Sequence, residues 1–166
     1  MGRRTAKGSE LTRRHHDVTV KLCGPSMRPL CVVAETPLGC LGLSVCYDVR
    51  FPALYEELGR KRCDAIAIPS AFTVATGRAH WHLMVRARAV EASAFVVAAA
   101  QAGRHDDGRS TFGHSLVVDP WGEVLLDMGE EVGVGFADID LARISEVRSG
   151  IPALTHRRPI PEPATS

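Results

Sequence analysis

Short apolar runs separated by turn residues predict the elements in the central part of the chain. Residues 30–35 (LCVVAE) and 41–46 (LGLSVC) are predicted strands, with the turn TPLG between them. Two further runs, CDAIAIP at 63–69 and AFVVAAAQ at 94–101, are almost continuously apolar. Such runs are typical of strands that are buried on both faces of a sheet.

Three stretches between these strands and after them have helical character. Pro52 suits the first turn of a helix that continues through PALYEELGRKR, with Leu54 and Leu58 on its apolar side. A second helix is predicted from His80, because apolar residues recur there at helical spacing. These residues are Trp81, Met84, Val85, Ala89 and Ala92. LARISEVRSG at 141–150 is predicted to be a short helix that Gly150 ends.

The C-terminal third combines a hairpin with less regular segments. HSLVVDPWGEVLLDMG at 114–129 predicts two strands around a turn, and 133–140 predicts a further strand. AGRHDDGRSTFG at 102–113 is interpreted as a polar loop, and the tail from residue 151 as an extended, proline-rich segment. The order of elements predicts one domain, a mixed α/β layer with helices over buried strands.

Composition narrows the range of partners. The 166 residues suit a single domain with a hydrophobic core, and a formal charge of +1 gives no electrostatic case for nucleic acid. No apolar stretch approaches the roughly 20 residues that span a bilayer. Residues 1–23 are basic and without a convincing period, so they are interpreted as a polar lead-in. Five irregularly spaced cysteines argue against a zinc knuckle or a disulfide framework and favour free thiols in the cytosol or the mitochondrial matrix.

Cys46 has the setting of a nucleophile. It ends a predicted strand shortly before a helix that opens at Pro52, and the following amide, that of Tyr47, is a candidate donor to an oxyanion. The alternative is a buried, inert thiol, which is common for cysteine, and position alone favours that alternative. Cys31, Cys40 and Cys63 lack the flanking features, and we expect them to be buried thiols.

Other polar residues have both structural and chemical interpretations. Asp48 and Arg50 would point the same way in an extended segment, which predicts a structural ion pair. His80 and His82 are two residues apart on a helix, which argues against a metal site. His114 is a candidate base for Cys46, although a structural hydrogen bond is favoured. Glu91 is equally compatible with a buried ion pair and with catalysis.

Four separated motifs together resemble the carbon-nitrogen hydrolase (nitrilase) superfamily. They are LSVCYDVRFPALYEEL, the run from DAIAIPSAF to AAAQAGRH, FGHSLVVDPWGEVL and IPALTHRRP. The resemblance covers about Gly24 to Pro159 and is strongest to the branch of amidases that act on deaminated glutathione and related compounds.

The resemblance implies both a fold and a chemistry. The fold is an α/β, four-layer α-β-β-α sandwich. The chemistry is that of a thiol amidase without metal or organic cofactor, in which Cys46 attacks the amide carbon and a thioester forms. The amide of Tyr47 would help to stabilise the oxyanion. The implied substrate is the amide of a small carboxylate-bearing molecule such as deaminated glutathione.

The family's glutamate and lysine have no counterpart in this chain. In the family both precede the cysteine, whereas Lys7, Lys21, Glu10 and Glu35 stand here in contexts that do not match. The sequence is therefore interpreted as the C-terminal part of such a domain at 24–159, after a non-matching lead-in at 1–23 and before a tail at 160–166. We expect an incomplete sandwich that lacks its N-terminal half, and little or no activity of the chain alone.

Three interpretations remain open from the sequence. The chain is either an amidase by descent or a non-catalytic half-domain that associates with intact amidase subunits, and a cysteine–histidine hydrolase using His114 is a third interpretation. The expected partners are a small-molecule amide substrate and, for a complete domain, further copies in a homo-oligomer. Nucleic acid and membrane are not expected partners.

Overall fold

The computed structural model describes residues 31–37 and 39–158 with their side chains, and 13–15 and 18–22 as backbone strands. Its centre is one mixed sheet of eight strands, and two further strands form a separate ribbon. The strands are β1 (Arg13–His15), β2 (Val18–Leu22), β3 (Val32–Thr36), β4 (Gly39–Leu43), β5 (Ala65–Ala67), β6 (Phe95–Ala98), β7 (Ala102–Arg104), β8 (Ser110–Phe112), β9 (Leu116–Val118) and β10 (Val124–Asp127). No helix in this part of the chain is both long enough and apolar enough to cross a bilayer.

The strand order in the sheet is β1-β2-β3-β4-β5-β6-β9-β10. Strands β4, β5 and β6 run parallel, and the other neighbours are antiparallel. The register pairs Leu41 with Ala65 and Ala65 with Phe95. The carboxyl ends of the three parallel strands therefore share one edge, where loops from different parts of the chain meet.

Five α-helices are described, and the first and third of them pack against one face of this sheet. They are α1 (Pro52–Arg60), α2 (Val74–Thr76), α3 (His82–Ala92), α4 (Leu141–Gly150) and α5 (Ala153–His156). Leu58 of α1 and Val85 of α3 pack with Ile66 and Val96 of the sheet in one buried core. A side chain at Gly59 would come within 2.9 Å of the backbone of Ala92, so this glycine allows α1 to lie close against α3.

Most predicted elements are present. The structure contains the helix that begins at Pro52, the hairpin β9–β10, the helix ending at Gly150 and strands within or overlapping the runs 30–35, 41–46, 63–69 and 94–101. The second predicted helix begins as a π-helical turn at Gly77–Trp81 and continues as α3. The α/β fold class is therefore confirmed.

Four local predictions differ from the structure. The polar loop at 102–113 contains the ribbon β7–β8, because its backbone pairs with itself across a turn at 105–108. The tail from 151 contains the short helix α5 rather than only extended chain. Strands β1 and β2 lie within the predicted lead-in and extend the sheet beyond β3. The predicted strand at 133–140 is not a strand, because no neighbouring strand in the described residues pairs with it.

The sheet face opposite the helices α1 and α3 is only partly covered. Leu41, Ala65 and Val97 line an open depression of about 960 Å³ together with Ile139 and Leu141. Beside it, apolar side chains of the segment 132–136 are exposed: Val132 by 86%, Val134 by 82% and Phe136 by 88%. Exposed apolar area of this kind marks a surface that another layer or partner can cover.

Candidate active site at the carboxyl edge of the parallel strands

Cys46 lies at the shared carboxyl edge of the parallel strands. Strand β4 ends at Leu43, and three residues later Cys46 opens a 3₁₀ turn, Cys46–Arg50, that leads into α1. The Cys46 N–H donates to the carbonyl of Pro69, just past β5, at 2.8 Å. In open α/β sheets this edge is where ligands bind, because the loops there are free to converge on a ligand.

The backbone of Cys46 has a strained conformation. Its φ is +44°, in the left-handed region that costs a non-glycine residue about 1–3 kcal/mol. The turn is held by Asp48, whose Oδ2 accepts the N–H of Val45 at 2.9 Å. A sharp strand-to-helix turn lifts the nucleophile clear of the sheet in enzymes of the α/β-hydrolase fold. The thiol is half-buried against the core, and the N–H of Tyr47 lies in the first turn, where helix geometry provides no internal acceptor.

Arg88 anchors the Cys46 turn to helix α3. Its Nε donates to the carbonyl of Val49 at 2.7 Å, and its Nη1 pairs with Glu91. Its guanidinium also lies 5.3 Å from the ring centroid of Tyr55. Arg88 is 6% exposed and Val49 is fully buried, so this buried contact holds the turn against α3. Of the two interpretations of Glu91, the ion pair is the one observed.

A buried hydroxyl pair supports the strand that leads to Cys46. Ser44 Oγ and Tyr55 Oη lie 2.8 Å apart, and Ser44 Oγ also donates to the carbonyl of Ala67. Burial raises the pKa of Tyr55 to about 12, against the opposing effect of its hydrogen bond with Ser44. The phenol is therefore neutral at physiological pH and acts as a structural hydrogen-bonding group.

Arg50 presents a cation at the end of the 3₁₀ turn that Cys46 begins. Its guanidinium lies 5.4 Å from the ring centroids of both Tyr47 and Phe72. The predicted ion pair with Asp48 is not formed, because the segment is a 3₁₀ turn rather than extended chain and Asp48 caps the Val45 N–H instead. In the part of the chain that the structure describes, no carboxylate forms an ion pair with Arg50.

The histidine interpretations are also resolved by geometry. The Nδ1 of His114 lies 2.8 Å from Asp127 Oδ1, and no hydrogen bond between His114 and Cys46 occurs among the described residues. The favoured structural role of His114 is therefore the observed one. His82 joins the same carboxylate at 2.9 Å, whereas His80 is not part of this group, so the H-x-H pair forms no shared site.

The thiols and the described lysine do not supply an activating partner for Cys46. None of the four cysteines whose side chains are described forms a disulfide, and Cys31 and Cys63 are buried as predicted. Cys40, predicted to be buried, is partly exposed beside Cys63. Lys61 follows the C-terminal end of α1 and pairs with Glu57, whereas the Cys46 turn precedes the N-terminal end of that helix. Lys7 and Glu10 lie outside the described residues, as does the side chain of Lys21.

Sequence reasoning missed two residues with organising roles: Arg88, which holds the Cys46 turn, and Asp127, which joins His82 and His114. Arg88 stands seven residues after Trp81 and four before Ala92, on the buried face of α3. A charged residue at such a position is a signal that it has a buried partner. Asp127 gave no comparable signal, because only the pairing of β9 with β10 brings it to His82 and His114.

Comparison with known proteins places these features in a family. The Carbon-nitrogen hydrolase family matches residues 5–149. A deaminated glutathione amidase from Dictyostelium discoideum is 48% identical over 128 residues, which cover 76% of this chain and 44% of the relative. The chain thus spans less than half the length of that relative.

Solved structures of similar fold support the same family assignment. The C. elegans NitFhit protein superposes with a TM-score of 0.74 at 47% identity, over 81% of this chain and 32% of that chain. A mutant amidase from Nesterenkonia sp. AN1, with the acetamide moiety of fluoroacetamide added covalently at its active-site cysteine, gives a TM-score of 0.65 at 28% identity. That match covers 81% of this chain and 47% of the amidase. The chain therefore belongs to the carbon-nitrogen hydrolase family.

Proposed function

We propose that this chain carries the nucleophile of an amidase, and that the nucleophile is Cys46. The observation that carries the proposal is the position of Cys46: a strained turn at the carboxyl edge of parallel strands, in a chain of this family. The relatives named as amidases, and the covalent addition at the active-site cysteine of the Nesterenkonia amidase, support the same role.

The reaction proceeds through a thioester. The Cys46 thiolate attacks the amide carbon and forms a tetrahedral intermediate, whose oxyanion accepts a hydrogen bond from the Tyr47 N–H. The C–N bond then breaks, the nitrogen takes a proton and leaves as an amine, and the acyl half remains on sulfur. Water cleaves the thioester, which releases the carboxylic acid and returns the thiol.

The substrate we propose is a small amide that bears a carboxylate, with deaminated glutathione as the leading example. The names of the relatives support this substrate class. Arg50 adds a physical reason, because it belongs to the same turn as Cys46 and its guanidinium has no carboxylate partner among the described residues. Guanidinium groups bind carboxylates through two parallel hydrogen bonds, which would orient the substrate over the thiol.

Deacylation lacks a general base in this chain, because no glutamate stands in a sequence context that matches the family's. The family's chemistry needs a glutamate as general base and a lysine beside the oxyanion, and neither was matched in the sequence. We therefore expect acylation to be slow and the thioester to persist, since a missing general base typically costs about 10²–10⁴ in rate.

The test is release of the amine half of deaminated glutathione by the purified chain. Slow release that Cys46→Ser abolishes and Cys63→Ser retains is the expected result. Release by Cys46→Ser at the wild-type rate would exclude Cys46 as the nucleophile. Turnover as fast as that of a full-length relative would contradict the expected slow deacylation.

The second candidate function is association with an intact amidase subunit. The open depression lined by Leu41, Ala65 and Val97 and the exposed Phe136 beside it favour this function. Co-expression with a full-length relative and size-exclusion chromatography provide the test. A mixed complex that Val97→Lys weakens supports association, and a chain that remains separate at micromolar concentration excludes it.

A further inference from the structure

Three metal-ligating side chains from different elements meet outside the Cys46 site. His82 begins α3, His114 follows β8, and Asp127 ends β10. One ligand atom from each lies within 4.8 Å of the others. His82 Nε2 is 2.9 Å from Asp127 Oδ2, and His114 Nδ1 is 2.8 Å from Asp127 Oδ1.

The neighbours of this cluster fix its orientation. The ring of Phe112 stacks on His114 at a centroid distance of 4.3 Å, and His82 stands edge-on to His114 at 4.9 Å. Asp127 Oδ1 also accepts the N–H of Gly129 at 2.9 Å. A second contact of this kind orients a ligand before the ion arrives, as outer-shell hydrogen bonds do in metal sites.

Hydrogen bonds hold both the carbonyl and the N–H of His114. Its carbonyl accepts the indole N–H of Trp81 at 2.7 Å, and its own N–H donates to the carbonyl of Gly129 at 2.6 Å. Its φ is +56°, which a residue other than glycine rarely adopts. The fold thus fixes the direction of the imidazole at the cost of local backbone strain.

We propose that His82 Nε2, His114 Nδ1 and the Asp127 carboxylate bind one divalent transition-metal ion of the zinc type. Two imidazoles and one carboxylate are a ligand set that suits such ions. Ligand atoms about 2.1 Å from a tetrahedral ion stand about 3.4 Å apart, and both His–Asp distances already lie within that spacing.

The ion has a route to this cluster. The side chains of His82 and Asp127 are 37% and 35% exposed, so an ion can reach them from solvent. On binding, the ion replaces the ring protons that now point at the carboxylate. Three protein ligands leave at least one position for water or another small ligand. The site is independent of the proposed amidase function, because none of its ligands forms a hydrogen bond with Cys46 among the described residues.

Cobalt(II) titration of the full chain under reducing conditions tests the proposal. We expect one ion per chain, visible d–d absorption without a thiolate charge-transfer band, and displacement by zinc(II). His82→Gln and Asp127→Asn should each weaken binding at least about tenfold. His105→Gln, which alters an imidazole bonded to Thr111 on the neighbouring ribbon, should not.

A second measurement needs no variant. Among the seven histidines, paramagnetic broadening by cobalt(II) should affect the ring signals of His82 and His114 first. Binding through thiolates, equal affinity of the ligand variants and the wild type, or the absence of a one-to-one complex would each overturn the proposal.

Discussion

The Nε of Arg88 donates a hydrogen bond of 2.7 Å to the carbonyl of Val49, three residues after Cys46. Both groups are buried, so the bond connects the core of α3 directly to the turn that presents the thiol. Arg88 does not touch the reacting atoms in this account. It positions the turn, and the turn positions Cys46 and the Tyr47 amide together.

Replacing Arg88 should disturb both stability and reactivity. Arg88→Met leaves the Val49 carbonyl buried without its partner, which should cost about 1–3 kcal/mol in the free energy of unfolding. The rate at which Cys46 forms a thioester should fall as well, while its dependence on pH keeps its shape. Urea unfolding and rapid-quench acylation measure the two effects.

The matched control is Arg86→Met on the same helix, whose Nε donates to the carbonyl of Gly122 away from the Cys46 turn. It should leave the acylation rate unchanged. Equal acylation by Arg88→Met and Arg86→Met would show that Arg88 does not position the nucleophile.

Arg50 should discriminate between substrates by charge. Arg50→Gln should slow acylation by a carboxylate-bearing amide by about ten- to a hundredfold, because the charged contact with the substrate carboxylate is lost. Acylation by a neutral amide of similar size should change little. Arg60→Gln, on the far end of α1, is the control. An equal loss for charged and neutral amides would contradict carboxylate binding by Arg50.

The buried phenol of Tyr55 should make stability fall at alkaline pH. Its pKa is raised to about 12 in the folded chain and is about 10 in an unfolded chain. Between these values the unfolded state has lost a proton that the folded state retains, so stability is complete below about pH 10 and decreases as pH rises towards 12. Urea midpoints at neutral pH and near pH 11 measure this loss.

Tyr55→Phe removes the ionisable group and should flatten this alkaline decline. It also removes the hydrogen bond to Ser44, so its stability at neutral pH should be lower by about 1 kcal/mol. A decline of the same size in Tyr55→Phe would show that another group causes it.

Two helical glycines should respond in opposite directions. Gly59→Ala places a methyl group about 2.9 Å from the Ala92 backbone and should destabilise the fold by about 1–3 kcal/mol. Gly150→Ala meets nothing within 4 Å and should be neutral or stabilising by up to about 1 kcal/mol. Thermal unfolding of both variants checks the close contact of α1 with α3, and equal effects would contradict it.

Local pattern sufficed to predict the elements that bury apolar side chains. The runs around Ile66 and Val96 are strands because both of their faces are apolar, and the helical spacing of Trp81 and Val85 marks the buried side of α3. The alternation in 132–136 has the same local appearance as a strand. It forms none because a strand also needs a neighbour, which local pattern does not report.

Of the candidate site, the sequence predicted only the residues of the motif around Cys46. The ion pair of Asp48 with Arg50 was expected from an extended backbone, and the 3₁₀ turn removed its basis. The cluster of His82, His114 and Asp127 depends on strand pairing and on the packing of α3 over long sequence separations. The spacing of residues along the chain does not show which side chains from distant elements come together in the fold.

The central claim is that Cys46 is an acyl acceptor, and intact-mass spectrometry tests it most directly. The chain is incubated with deaminated glutathione, quenched in acid and mapped by peptide. We predict one adduct with the mass of the acyl half, located on Cys46, absent from Cys46→Ala and lost on treatment with hydroxylamine. No adduct, or acyl groups spread over the other four cysteines, would contradict the account.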